Sequence, residues 1–231
     1  MKPIGIICAM ESEMEILLEN LSEKAAKHIG GIDVYTGTLR GAPVALCTCG
    51  MGKASAAAAT QLLITGFGAG AIINSGIAGN MTGLLSIGDM AISTTTLYHD
   101  GEPKMINQSY PYLYEFTADE ALVGAAAKTC RELGVKCATG RIATGDQFIG
   151  EAAVKKRIAD AYAPLCVEME GAAIGHIAAK NDVPFVVLRS MSDDADESGY
   201  DKLVVKQFDV QEYCRTVSAI TMGTIEKYIS E

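Results

Sequence analysis

Residues able to do chemistry gather where apolar runs end. Glu168-Met169-Glu170 directly follows the run Pro164 to Val167 and places two carboxylates where burial is expected. Acidic and basic side chains are rarely buried without a partner. Arg189 raises the same question, because it continues the apolar Val186-Val187-Leu188, and Ser192, Asp193 and Asp194 follow it. Extended geometry puts Arg189 and Asp193 on one face, so an ion pair between them is expected. Met10-Glu11-Ser12-Glu13 follows the first apolar run, and Gly145-Asp146-Gln147-Phe148-Ile149 follows another. Acids or their partners stand at four such ends, more than solubility requires. Groups of this kind can hold and pass protons.

Each feature also has an ordinary reading. Glu11, Glu13 and Glu15 suit the first turn of a helix, where acids complement the dipole. Ser75-Gly76-Ile77-Ala78-Gly79-Asn80 lacks the spacing of the known phosphate loops and reads as a tight strand-to-helix turn. Met10, Met51 and Met169 are ordinary core filler. Asp193, Asp194, Asp196 and Glu197 fit a solvated acidic loop. Cys47-Thr48-Cys49 lies in an apolar strand and lacks a zinc or redox spacer, so buried thiols are expected. His28, His99 and His176 show no ligand spacing. No metal site and no cofactor are read.

The elements that must position these residues alternate along the chain. Ile4 to Ala9 reads as a buried strand, and Glu11 to Lys27 as an amphipathic helix with Met14, Leu17, Leu18 and Leu21 at helical spacing. Ile32 to Leu39 and Pro43 to Cys49 form a hairpin around Arg40-Gly41. Lys53 to Thr65 is an Ala-rich helix stopped by Gly66. Ala71 to Asn74 and Gly88 to Thr96 are strands. Helices over Ala118 to Leu133, Glu151 to Ala161 and Gly171 to Lys180 then alternate with strands over Val135 to Thr144, Pro164 to Val167 and Pro184 to Met191. Lys206 to Ile229 is a closing helix. Tyr98 to Glu115 is the least regular segment, a surface loop or a substrate-side lid. This order implies an α/β fold in three α/β/α layers around a mixed central sheet. Ligands of such sheets bind beyond the carboxyl ends of the strands.

The 231 residues form one expected domain, 1–231, because no linker or repeat divides them. A hydrophobic share of 49% with 20% charged residues excludes disordered and collagen-like chains. The net charge is −9, with no Lys/Arg cluster, which argues against nucleic acid as a partner. No stretch approaches the roughly 20 apolar residues of a membrane span, and Glu11, Glu13 and Glu15 spoil a signal peptide. Seven scattered cysteines, an odd number, fit free thiols in a reducing cytoplasm.

Six ordered motifs carry a resemblance over nearly the whole chain. They are Ala9-Met10-Glu11-Ser12-Glu13, Met51-Gly52-Lys53, Ser75-Gly76-Ile77-Ala78-Gly79, Gly145-Asp146-Gln147-Phe148-Ile149, Val167-Glu168-Met169-Glu170 and Arg189-Ser190-Met191-Ser192-Asp193. The set resembles the 5′-methylthioadenosine/S-adenosylhomocysteine nucleosidases. That resemblance implies a nucleoside phosphorylase/hydrolase-like fold, an adenine nucleoside as small-molecule partner, and a homodimer. It also implies roles. Glu13 would activate the attacking water and Arg189 would help hold it. Asp193, supported by Ser192, would protonate N7 of the departing adenine. Glu170 would grip the ribose hydroxyls. Phe148 would stack on adenine and Ile149 would bond it through its backbone. Met10, Met51 and Met169 would surround the ribose and 5′ side, with Ile77, Val167 and Glu168 also lining the site. Such an acid must keep its proton near neutrality, through burial or through repulsion from Asp194 and Asp196.

Three departures stand out. Ile77 replaces a small hydroxyl residue, the segment after Tyr98-His99-Asp100 differs, and Gly171 is smaller than usual. The first two bear on the 5′ substituent, so 5′-deoxyadenosine and an aminofutalosine-like nucleoside are alternatives. A nucleoside phosphorylase would need an early cation for phosphate, where this chain has carboxylates that repel it. A non-catalytic nucleoside binder would need none of these acids.

Overall fold

The computed structural model of this protein describes residues 1–200 and 210–230. In chain order the elements are β1 (Ile4–Cys8), α1 (Glu11–Glu19), β2 (Ser22–Ile29), β3 (Ile32–Leu39), β4 (Ala42–Thr48), α2 (Lys53–Phe67), β5 (Ala71–Asn80) and β6 (Met90–Tyr98). There follow α3 (Pro103–Ile106), β7 (Glu115–Thr117), α4 (Glu120–Glu132), β8 (Cys137–Thr144), α5 (Ala152–Tyr162), β9 (Cys166–Glu168), α6 (Gly171–Lys180), β10 (Phe185–Asp193), α7 (Glu197–Tyr200) and α8 (Gln211–Tyr228). The expected closing helix is thus observed from Gln211. The part of it over 206–209 lies outside the described residues.

The apolar sequence pattern explains the layering. Met14 and Leu17 of α1, Leu122 and Ala126 of α4, and Val217, Ile220 and Ile225 of α8 cover one sheet face. Ala56, Ala59 and Leu63 of α2 and Ala172, Ile174 and Ala178 of α6 cover the other. Alternate residues of β5 divide between these two layers: Ile72 joins the second and Ile73 the first. This is the three-layer α/β/α arrangement with a mixed sheet. Among the described residues, no helix is long and apolar enough to cross a membrane.

Two expectations are corrected. The helix expected over Glu11 to Lys27 ends at Glu19, and Ser22–Ile29 is an exposed edge strand antiparallel to β3, with Ala26 opposite Tyr35. Helical spacing of apolar residues stops at Leu21. Beyond it, Ala and Lys residues favour a helix locally, but pairing with β3 prevails over that weak preference. Gly30-Gly31, with φ +62 and +78, forms the tight hairpin turn that this pairing requires. Lys24 and Lys27 keep the edge polar.

The second correction concerns the glycine-rich segment Ser75 to Asn80, which is not a turn. It is the second half of β5 and runs parallel to β10, with Arg189 opposite Gly76. The same half-strand meets β9, Gly79 opposite Val167. Pairings β5–β10, β10–β6, β6–β8, β8–β9 and β9–β5 therefore close one part of the sheet on itself, while β1, β4, β3 and β2 extend from it as an open wing. The ends of β5, β9 and β10 converge as a result.

Leu17 is fully buried between α1 and the sheet. Leu17→Ala is expected to lower stability by about 2–5 kcal/mol, measured by urea unfolding.

Candidate active site

Glu13 is the third residue of α1, and its carboxylate reaches back over the helix start. Oε2 accepts from the Ala9 and Met10 N–H groups at 2.8 and 3.0 Å, and Oε1 accepts from Ile77 N–H at 2.9 Å. It therefore serves the helix end as an ordinary first-turn acid would, yet it is only 1% exposed, unlike Glu11 and Glu15. Burial pushes its carboxyl up, against the pull of Arg189 and the three N–H groups.

Arg189, 1% exposed, lies at the centre. Its Nη2 donates to Asn74 Oδ1 at 2.6 Å, to Glu170 Oε2 at 3.2 Å and to Glu168 Oε2. Asn74 is anchored in turn by its Nδ2 on the Ile7 carbonyl at 2.9 Å. The expected Arg189–Asp193 pair does not form. A register shift between Met191 and Asp193 breaks the strand alternation, and Asp193 is held by Ser192 Oγ and the Ala195 N–H, each at 2.8 Å.

Gly76 explains why the chain is extended and glycine-rich here. A Cβ on it would overlap Arg189 Nη1 and come within 2.5 Å of Glu13 Oε1. At Gly79 a Cβ would lie 3.0 Å from Asp193 Oδ1. These glycines leave room for side chains rather than for a turn.

The two acids of β9 and its end differ in use. Both Glu168 oxygens are engaged inside the protein: Oε2 by Arg189 and by the Glu170 and Gly171 N–H groups at 3.0 and 2.7 Å, Oε1 by the Thr144 hydroxyl. Thr144 Oγ1 accepts from Ala172 N–H at 2.8 Å, so the pair also secures the start of α6. Gly171 leaves this fold-back space, since a Cβ there would be 3.1 Å from Glu168 Oε1. Glu170 spans the site instead, with Oε1 accepting from Gly52 N–H at 2.8 Å. Burial pushes its carboxyl up to about 7; Arg189 and Gly52 oppose that, while Glu168 and Glu13 add to it. Burial likewise raises the Asp193 carboxyl, against Ala195 and Ser192, with Asp194 and Asp196 adding repulsion.

These groups face one cavity of about 430 Å³. Twelve of the residues singled out in the sequence line it: Met10, Glu13, Met51, Ile77, Phe148, Val167, Glu168, Met169, Glu170, Arg189, Ser192 and Asp193. Ile149 does not. It is buried against Val167 and Ile158 and borders the adjoining hollow beneath Phe148. Ala9, Ala78, Gly79 and Val210 also line the cavity. Sequence reasoning missed Asn74 and Thr144; Asn74 is a polar residue within a buried strand, as Arg189 is, and Thr144 ends β8. Among the described residues no group of His, Cys, Asp and Glu could hold a metal ion.

A sequence profile described as the Phosphorylase superfamily matches residues 3–226. The chain is similar to the Neisseria meningitidis 5′-methylthioadenosine/S-adenosylhomocysteine nucleosidase bound to methylthio-immucillin-A, at 30% identity and TM-score 0.91, over 98% of this chain and 99% of that one. It is similar to the Streptococcus pyogenes S-adenosylhomocysteine nucleosidase at 30% identity and TM-score 0.88, over 97% and 96%. It also matches the futalosine hydrolase of Helicobacter pylori at 26% identity and TM-score 0.88, over 97% of both chains.

Two outcomes follow from the site's electrostatics and packing. Because their carboxyl pKa values are raised, folded Glu13, Glu170 and Asp193 keep protons that the unfolded chain has already released. Their contribution is favourable below the ordinary carboxyl range and is lost as pH rises, for Glu170 from about 4.5 towards about 7. The melting temperature should fall across that window, and Glu170→Gln should flatten the slope. Gly76→Ala should destabilise the protein by more than the roughly 1–3 kcal/mol of an ordinary overpacking change, read by thermal unfolding, because the added methyl displaces a buried guanidinium.

Proposed function

The chain belongs to the phosphorylase superfamily, and we propose that within it this protein is an N-glycosyl hydrolase that releases adenine from 5′-methylthioadenosine and S-adenosylhomocysteine. One observation carries the reading: two buried acids with raised pKa values, Glu13 and Asp193, lie on the walls of one cavity large enough for a nucleoside.

Cleaving this bond leaves an oxocarbenium-like sugar and a poor anionic leaving group. An acid at the base and a general base at the water serve the two ends, as paired carboxyls do at O-glycosidic bonds. Asp193 keeps its proton by burial and donates it to adenine N7 as the bond lengthens. Glu13 accepts the proton of the water that attacks C1′, its carboxyl raised by burial and so a stronger base than an exposed glutamate. Arg189 helps hold the water and offsets the negative charge of the site. Glu170 takes the ribose hydroxyls through Oε2 while Gly52 fixes Oε1. Phe148 stacks on adenine, and the Ile149 backbone pairs with its edge. Met10, Met51 and Met169 give the ribose and the 5′ sulfur side an apolar wall. Val167 and Ile77 line the cavity as well.

Water rather than phosphate is the nucleophile in this reading. Of the described cavity residues only Arg189 is cationic, and Glu168 and Glu170 already engage it. Carboxylates around it repel a phosphate dianion. A second reading, an adenine nucleoside with a different 5′ substituent such as aminofutalosine, is favoured by Ile77 and by the similarity to futalosine hydrolase. Met51, Met105, Tyr112 and Leu113 are exposed apolar side chains of the kind an interface between two copies of the chain buries, in keeping with a homodimer; a cytoplasmic place in methionine salvage follows from the nucleosidase reading alone.

Adenine release should proceed from methylthioadenosine and adenosylhomocysteine without phosphate. Release from aminofutalosine alone would favour the second reading. Asp193→Asn and Glu13→Gln should each reduce kcat by about 10²–10⁴-fold, followed by adenine chromatography. An Asp193→Asn enzyme of full activity would remove that acid from the mechanism.

A further inference from the structure

A cluster outside the cavity joins three chain segments that the catalytic residues alone do not connect. Lys53 is the first residue of α2, where a cation opposes the helix dipole. Its ammonium is bonded to both Asp100 oxygens at 2.7 and 2.8 Å, lies 3.4 Å from Asp146 Oδ2, and sits 5.5 Å above the Tyr98 ring centre. Asp146 Oδ1 accepts from the Lys53 backbone N–H at 2.8 Å, and Asp100 Oδ2 accepts from the Asp146 N–H at 2.9 Å. The Asp100 carboxyl would be raised by burial, but Lys53 and the Asp146 N–H outweigh that and hold it below its usual range.

The start of α2 has no side-chain cap of its own, since its cap residue is Gly52. Its first two N–H groups are taken by carboxylates from far along the chain: Gly52 by Glu170, Lys53 by Asp146. A residue of the cavity and a residue outside it therefore grip adjacent positions of one helix end. Asp146 lies two residues before Phe148, and Gly52 follows Met51, so two segments that line the cavity are tied at this point. The side chains are a quarter to a half exposed. Ion pairs so exposed add little to stability, which leaves positioning as what this geometry achieves.

We propose that Lys53, Asp100 and Asp146 are positioning residues that lock the Phe148 wall of the cavity to the start of α2, and so set the fit of the purine. The inference deepens the nucleosidase reading and rests on it. Asp146→Ala and Lys53→Met should each raise KM for methylthioadenosine about tenfold while kcat changes little, the signature of lost uniform binding. The double variant should be no worse than either single one, because both cut the same link. Amide hydrogen exchange without substrate should quicken together over 50–53, 98–101 and 145–149 in Asp146→Ala. An unchanged KM, singles that multiply in the double variant, or unchanged exchange in those segments would overturn the proposal. If the wild-type protein releases no adenine, the nucleosidase reading fails and the exchange comparison alone decides the lock.

Discussion

A guanidinium buried among three carboxyl groups is the constraint around which this protein is built. Taking Arg189 from water is costly, and only close charges and hydrogen bonds compensate. Glu168, Glu170 and Glu13 supply the charge, and Asn74 supplies a neutral acceptor. Removing one partner from such a set typically costs about 3–5 kcal/mol, so its members are not interchangeable. The requirement spreads outward from there. Gly76 has no side chain because Arg189 occupies that space, Thr144 and Gly171 hold Glu168 in place, and the start of α6 is fixed by the same carboxylate.

The same charge balance separates the acids by environment. Glu168 has every oxygen engaged by neighbours. Glu13 has Arg189 and three N–H groups to temper its burial. Asp193 is raised by its burial, with added repulsion from Asp194 and Asp196, and among the described residues no cation is bonded to it. Similar residues are thus held by different partners around one cavity, the kind of arrangement in which one site can hold a base and an acid at one pH.

The topology makes that proximity possible. Residues 9–13, 51–53, 76–79, 146–149, 167–170 and 189–193 come from six separate strand ends or helix starts. Segments 76–79, 167–170 and 189–193 meet because β5 pairs with both β9 and β10. An ordinary open sheet would have spread those ends along its edge.

How much the sequence determined depends on the range of the interaction. Apolar periodicity located most strands and helices and both covering layers, because burial is a local pattern repeated along each element. The oddity of acids and an arginine at the ends of apolar runs pointed to Glu13, Glu168, Glu170, Arg189 and Asp193. The apolar lining, Met10, Met51, Ile77, Phe148, Val167 and Met169, came from the resemblance of six ordered motifs to a known family. Partners were decided only in three dimensions. Pairing with β3 turned Ser22–Ile29 from helix to strand, through the tight turn at Gly30-Gly31. Asn74 and Thr144 gained their meaning from Arg189 and Glu168, 115 and 24 residues away in sequence. A one-residue register shift in β10 turned Asp193 from the expected partner of Arg189 into a separate group. Local sequence sets which groups must be buried; long-range strand pairing sets which of them face each other, because that is where charges so distant along the chain first come within hydrogen-bonding reach.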